Sequence, residues 1–512
     1  REREREKRQR DEGCGEIGRY LANTFGDLAR QAVSRAELSN MIDSGISPEQ
    51  LAVEIATRME RQPGITIGYH PIEGNDGLTV KIPPETRDRH VYIIGKSGSG
   101  KTNLLRNMIL QDMDEGHGVG VIAPEQEMLT EELLPYIPTH RIDDVIYVNP
   151  ADTERPVPFN PLHMDDQDDI DLLVDENMTI FRRVMDASAS GPRMDEILRQ
   201  SLYALLPRSN TTLLDIERLL IREDPTFRNE VIRTSKDPEV SHFFRDVYPT
   251  FPKDAHLPIT NRLGRLTRPR PLRALLCSTG TSLNIREAID TGKILLFNLS
   301  DGIIGEANSQ LLGQFLVSKF QTAVMSRADT GAENRRRFHL YIDEFQTFTG
   351  GASASYEKIL SRARKYRLAL TLAHQQTGQL PQSVLKEIFG NVSTMLAFNV
   401  ARSDAQTLAG EFQAEIDGKV EKLAPEELLT LRVGEAWCKI GRSVLFARTY
   451  PAPDEPNQEY AERVIEHARQ RYGISATRSA RQEKIHHEKA SNDTDASHTP
   501  DPLDDIDPGK PF

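Results

Sequence analysis

The segment Gly95-Lys96-Ser97-Gly98-Ser99-Gly100-Lys101-Thr102 follows the apolar run Val91–Ile94 and opens the helical run Asn103–Met113. Its spacing is G-x-x-x-x-G-K-[ST], and each residue type has a physical task. The glycines let backbone amides turn inward onto phosphate oxygens, and the helix N-terminus adds positive potential. Lys101 reaches the β- and γ-phosphates and Thr102 holds Mg²⁺. The expected ligands are ATP and Mg²⁺, with Gly95, Lys96, Ser97, Gly98, Ser99, Gly100, Lys101 and Thr102 forming the nucleotide site.

Hydrolysis needs one carboxylate for the metal and a second for the attacking water, both at the carboxyl end of a strand beside this loop. Phe338-His339-Leu340-Tyr341-Ile342-Asp343-Glu344 supplies them. Its apolar residues bury the strand, Asp343 completes the Mg²⁺ shell with Thr102, and Glu344 polarises the water. Alone, such a pair also suits a helix N-cap; the phosphate loop makes the catalytic reading the stronger one. Further on, Arg364-Lys365-Tyr366-Arg367 leads into Leu368–Ala373, which ends at His374-Gln375-Gln376. An amide at a strand tip can hydrogen-bond the γ-phosphate and report its loss. Arginines at the strand's start face outward to a neighbour, which suggests a ring in which one subunit stabilises phosphoryl charge on the next; the alternative is an amide that satisfies backbone and a solvated basic face.

The elements that must position these groups alternate. Short apolar runs at Val91–Ile94, Gly118–Ala123, Val145–Asn149, Ile294–Leu299, Phe338–Ile342, Leu368–Ala373 and Thr394–Asn399 are interleaved with amphipathic helices, the pattern of a parallel sheet covered by helices. Strand signals vanish between 165 and 290, where helical periodicity prevails. The expected organisation is a helical segment at 1–62, a small β module at 63–89 with Gly74-Asn75-Asp76-Gly77 as its turn, an α/β core at 90–164 and 291–473, an inserted all-helical domain at 165–290, and a disordered acidic tail at 474–512.

Composition narrows the class. Cys14, Cys277 and Cys438 are too few and too scattered for a disulfide framework or a metal knuckle, which favours a reducing, cytoplasmic setting. No run reaches the 18 apolar residues of a membrane span. Because the chain begins with arginine, an anchor upstream is left open, which would place it at the inner face of the cell membrane. The net charge of -13 argues against coating nucleic acid by bulk attraction, although seven carboxylates fall within Asp165–Glu176 and eight within 481–512.

The phosphate loop, Tyr341-Ile342-Asp343-Glu344-Phe345, and Ala363-Arg364-Lys365-Tyr366-Arg367 through Gln375, in this order, resemble the HerA/FtsK superfamily across about residues 65 to 470. Ile142-Asp143-Asp144-Val145-Ile146-Tyr147, Asn149-Pro150-Ala151-Asp152, Gly292-Lys293-Ile294-Leu295-Leu296 and Phe389-Gly390-Asn391-Val392 extend the likeness to the conjugative coupling ATPases of type IV secretion. The resemblance implies a RecA-like core with a helical insertion, catalysis by Lys101, Asp343 and Glu344, γ-phosphate sensing by Gln375, and a trans arginine at Arg364, with Arg362 and Arg367 nearby. It further implies a hexameric DNA translocase whose partners include DNA and a relaxase, nuclease or secretion channel. The rival readings are a HerA-like motor paired with a nuclease in DNA repair or phage defence, and a nucleotide-dependent scaffold for protein secretion.

One departure stands out. Relatives commonly carry Asp-Pro after the second core strand, followed by His or Lys, Gly and an acid, whereas this chain has Ala123-Pro124-Glu125-Gln126-Glu127. Glu125 and Glu127 are the candidates to replace the missing acid. Arg262, Arg265, Arg268, Arg270 and Arg273 form a basic run that suits phosphate contact or a solvated face. His374 is expected to be structural, Trp437 to lie in the core, and His486-His487 to lack companions for a metal.

Overall fold

The computed structural model describes residues 48–474, apart from 73–74, 165–168, 185–190, 280–282, 351–352, 417–418 and 453–455, together with a few positions between 37 and 44. Most of the expected N-terminal helical segment and the acidic tail, including His486-His487, lie outside the described residues. The described chain divides into two compact units, one running to Asn149 and resuming at Asn284–Arg471, the other within Pro150–Leu283.

The first unit is built on strands β1 (Ile65–Ile72), β2 (Asn75–Ile82), β3 (Val91–Ile94), β4 (Gly118–Ala123), β5 (Val145–Val148), β6 (Ile294–Asn298), β7 (Phe338–Ile342), β8 (Leu368–His374), β9 (Thr394–Ala397), β10 (Gln413–Ile416), β11 (Lys419–Lys422), β12 (Glu435–Ile440) and β13 (Ser443–Arg448). Eleven of these form one sheet, in the order β2-β1-β13-β12-β9-β3-β8-β7-β4-β6-β5. From β9 to β5 every neighbouring pair is parallel. Those strands are buried at every position, as strands covered on both faces must be, which is why they read as unbroken apolar runs. β12 and β13 instead alternate buried and half-buried residues and pair antiparallel. Trp437 accordingly sits half-buried on the alternating strand, its ring 6.0 Å from Phe446, rather than in the deep core.

Helices α1 (Pro48–Arg61), α2 (Lys101–Asp114), α3 (Glu306–Met325), α4 (Ser353–Arg362), α5 (Gln382–Asn391) and α6 (Gln458–Tyr472) flank the sheet. Alternate residues of β4 separate the two layers. Val119, Val121 and Ala123 join a core with Leu104, Leu105, Met108 and Ile109 of α2, Met59 of α1 and Val464 of α6. Between them, a side chain at Gly120 would meet Phe320 of α3.

Two expectations are corrected here. Asn75–Gly77 belong to β2 and not to the turn, and the β1–β2 hairpin is no separate module: β1 pairs with β13 and extends the sheet. Gln111 of α2 also accepts from the Thr66 amide and donates to the Thr66 carbonyl, at 2.9 and 2.8 Å, pinning the hairpin to the phosphate-loop helix. The small β10–β11 hairpin, a separate two-stranded sheet, is not among the strands expected from the sequence.

In the second unit the regular elements among the described residues are helices, including Ile170–Val184, Pro192–Leu205, Leu213–Leu220 and Leu257–Thr267. Thr212 caps Leu213–Leu220 in a capping box, its own amide donating to Asp215 at 2.8 Å. Carboxylates of the acidic stretch are used locally: Asp169 caps the helix that follows, Asp171 accepts from Tyr203 at 2.7 Å, and Asp175 pairs with Arg199 at 3.0 Å.

Candidate nucleotide site

The phosphate loop leaves β3 between its two parallel neighbours, β8 and β9. The Gly95 amide donates to the His374 carbonyl at 3.3 Å and the Lys96 amide to the Asn399 carbonyl at 2.8 Å, so the loop is fastened to both strand ends. Gly98 and Gly100 have φ of +72° and +109°, conformations that favour glycine and let the loop turn its amides inward. Gly100 also abuts Gly434, where an added Cβ would lie 3.3 Å from that residue's Cα, and the Gly434 amide donates to the Ser99 carbonyl at 2.9 Å. A Cβ on Gly95 would fall 2.6 Å from Cβ of Phe398. Asn399, Phe398 and Gly434 therefore shape the loop. Sequence reasoning missed them because a single sequence does not reveal which strands flank β3.

Lys101 is 5% exposed and its ammonium donates to the carbonyls of Gly95 and Lys96 at 2.7 and 3.2 Å. Burial holds its pKa below the ordinary lysine range, while Glu344, Asp343 and Glu125 oppose that shift. Thr102, half-buried, follows it in the first turn of α2.

Asp343 and Glu344 leave the end of β7. The Asp343 amide donates to the Ile122 carbonyl at the end of β4, and its carboxylate accepts from the Glu344 amide at 3.0 Å. Asp343 is 5% exposed; burial first, then the Glu344 charge, raises its pKa to about 7. Glu344 is held at φ +43°, a strained conformation for a non-glycine residue and one that gathers at functional sites. Its two oxygens accept from Gln375 at 3.0 Å and Gln346 at 2.7 Å. Gln375, half-buried just past β8, is thus brought to Glu344. Gln346 was not foreseen.

Of the two acids that follow β4, both exposed, Glu125 is the one whose charge couples to the site. Desolvation, then the charges of Glu344 and Glu127, raises its pKa, against the opposing charge of Lys101. Glu127 lies in the short helix Gln126–Thr130. The oxygen donors present, the Thr102 hydroxyl and a set of carboxylates with one buried and partly neutralised, suit Mg²⁺, which prefers such ligands and would favour the ionised form of Asp343.

His374 is fully buried beneath the loop, bonded to the Tyr92 hydroxyl at 2.5 Å and packed 5.0 Å from the Phe345 ring. Burial, then the Lys101 charge, depresses its pKa to about 3, so it stays neutral and structural. Arg364 lies elsewhere. It is exposed before β8, in a shallow depression lined by Ser361, Arg362, Arg364 and Lys365. Seven residues of β8 separate it from the Gln375 end, on the order of 20 Å. Within one subunit it cannot serve the same nucleotide as Lys101. In the helical unit, Arg265, Arg268, Arg270 and Arg273 are exposed, with Glu217 in the field of Arg268 and Arg273. Arg262 is half-buried and donates to the Met194 sulfur at 3.1 Å.

No helix among the described residues is long and apolar enough to cross a membrane. No family model matches the chain, and no curated protein does. Among solved structures it is similar to the bacterial conjugative coupling protein TrwBdeltaN70, at 18% identity over 79% of this chain and 92% of that one, with a TM-score of 0.52. The plasmid coupling protein TrwB in complex with ADP and Mg²⁺ is similar at 18% identity over 78% and 98% of the two chains, TM-score 0.52. VirB4 of Thermoanaerobacter pseudethanolicus is similar at 16% identity over 76% and 97%, TM-score 0.51. The chain therefore has the fold of the coupling protein TrwB and of VirB4, a mostly parallel RecA-like sheet covered by helices.

Proposed function

We propose that the chain hydrolyses ATP and uses the energy to move DNA through a ring of its own copies, as a coupling ATPase of conjugative, type IV secretion-related DNA transfer. The observation that carries the proposal is the convergence of Lys101, Asp343, Glu344 and Gln375 at the carboxyl ends of β3, β7 and β8. The fold likeness to TrwB, solved with ADP and Mg²⁺, supports the same reading.

In this mechanism Lys101 exchanges its two loop carbonyls for phosphate oxygens. Glu344, clamped by Gln375 and Gln346, orients the attacking water and accepts its proton. Thr102 and Asp343 would hold Mg²⁺, which when bound would offset the negative charge of the phosphates. Gln375 bonds both Glu344 and, in turn, the γ-phosphate, so loss of that phosphate alters the end of β8. Arg364, too far from its own site, stabilises phosphoryl charge in the adjacent subunit of a hexamer.

The test is ATP hydrolysis by the purified chain with and without double-stranded DNA, beside Lys101→Ala. Stimulation by DNA that disappears in the variant is expected. ATPase activity indifferent to DNA would overturn the translocase and leave a secretion ATPase or scaffold; no hydrolysis under either condition would overturn the enzyme.

A further inference from the structure

At the end of the sheet away from the phosphate loop, α2 finishes and the chain reverses through Gly116, at φ +79°, into β4. The reversal brings His117 back to Asp112, its amide donating to the Asp112 carbonyl at 2.8 Å. The neighbouring strand β7 contributes His339, paired in register with Val119. One ligand atom from each of Asp112, His117 and His339 lies within 4.8 Å of the other two. The two imidazole rings are 5.3 Å apart, and Nε2 of His339 is 3.7 Å from Asp112 Oδ1, beyond a hydrogen bond.

His339 is 2% exposed, and neither of its ring nitrogens has a hydrogen-bond partner in the described chain. Buried polar groups are nearly always paired, so this imidazole calls for a partner that the described residues do not provide. A histidine placed only for packing would be expected to satisfy at least one nitrogen on the backbone, as His90 does.

We propose that Asp112, His117 and His339 bind one divalent ion of the zinc class. Two imidazoles and a carboxylate are a donor set for zinc or its late first-row neighbours, whereas Mg²⁺ and Ca²⁺ favour oxygen shells. The surroundings fit a ligand's supporting shell. Arg87 donates to both oxygens of Asp112 at 2.6 and 2.5 Å, and Tyr341 donates to Oδ2 at 2.5 Å, which fixes the carboxylate and keeps it ionised. His117 is half-exposed and gives the ion a path from solvent, with Glu115 Oε2 3.4 Å from its Nε2. The Arg87 charge opposes a dication, so the site belongs to the exchanging kind rather than to permanently filled structural zinc. An ion here would tie the end of α2, whose start carries Lys101 and Thr102, to β7, whose end carries Asp343 and Glu344. It would brace both arms of the nucleotide site from behind.

The experiment titrates the chelator-stripped full chain with zinc chloride by calorimetry, and with cobalt(II) by visible absorption, without nucleotide or Mg²⁺. His486→Ala with His487→Ala is the background throughout, so that the paired histidines of the tail do not contribute. One equivalent of zinc is expected, with cobalt bands of nitrogen and oxygen ligation, both retained in Lys101→Ala and lost in His117→Ala. His117, being half-exposed, is the safer variant; His339→Asn is the second, read by the same cobalt spectrum after its fold is checked by circular dichroism. No uptake by the parent chain, or a cobalt spectrum unchanged in His117→Ala, would overturn the site.

Discussion

Gln375 donates its side-chain amide to Glu344 at 3.0 Å, across the gap between the ends of β8 and β7. The proposed phosphate sensor and the proposed base thus share one hydrogen bond, and Gln346 holds the other Glu344 oxygen at 2.7 Å. A carboxylate fixed at both oxygens is aimed, and its aim depends on where the Gln375 amide spends its bonds. Glu344→Gln is expected to lower kcat by about 10²–10⁴-fold with nucleotide binding retained, the loss of a positioned base. Gln375→Ala should lower kcat less, by roughly tenfold or more, with KM for ATP little changed. Steady-state kinetics beside fluorescent-nucleotide binding separates the two effects; a Glu344→Gln enzyme with parent kcat would remove Glu344 from the chemistry.

His90 makes acid stability a readable quantity. Its Nδ1 accepts from the Leu370 amide at 3.0 Å and its Nε2 bonds the Leu360 carbonyl at 3.2 Å, an arrangement that only the neutral ring with a proton on Nε2 satisfies. Burial lowers its pKa to about 4. A depressed histidine contributes stability that is fully present above its unfolded pKa of 6.5 and is lost as pH falls from there through 4. The difference amounts to about 3 kcal/mol. Denaturant unfolding at several values between pH 4 and 7 should show a steeper loss in the parent chain than in His90→Asn. Asparagine tolerates the φ of +69° at this position, so the comparison isolates titration from backbone strain. Equal slopes would remove His90 as the source.

The core was legible where burial on both faces leaves an unbroken apolar run, as in Val91–Ile94 or Phe338–Ile342, and where two acids end such a run. Legibility fails where local chemistry and long-range pairing disagree. Asn75–Gly77 carry turn residues, yet pairing with β1 draws them into β2, with Gly77 absorbing the bend at φ +87°. β10 and β11 are four residues each and pair only with each other among the described strands, too short a pattern to stand out in the sequence. Asn399 and Gly434 adjoin the phosphate loop because β9 happens to lie next to β3 and the residues before β12 lie beside Gly100, relationships that only sheet order reveals.

The two acids after β4 are both exposed, and they differ in the charges they meet. Glu125 shares its field with Lys101, Asp343 and Glu344, and Glu127 with Glu125. Glu125→Gln is expected to reduce kcat for ATP several-fold, and Glu127→Gln to leave it within the error of the parent. The contrast tests whether Glu125 stands in for the acid that Ala123 has displaced. Equal, parent-like rates in both variants would show that the site works without a replacement.

Arg364 offers the sharpest test of assembly, because the trans role proposed for it requires a neighbour: it precedes β8, whose other end carries Gln375. It is exposed beside Arg362 and Lys365, and its charge reaches His90 rather than Lys101. Arg364→Ala alone should abolish most hydrolysis, by about 10³-fold if it acts as a trans arginine. Mixed with Lys101→Ala, it should recover part of that activity, since a mixed ring contains sites with an intact Lys101 facing an intact Arg364. The same mixture made with Arg362→Ala or Arg367→Ala identifies which arginine serves the neighbour; Arg367 is the less suited, being bound 3.5 Å from Asp88. Full activity of Arg364→Ala by itself, or no recovery on mixing subunits that co-assemble by light scattering, would rule out Arg364 and return the trans role to one of the others.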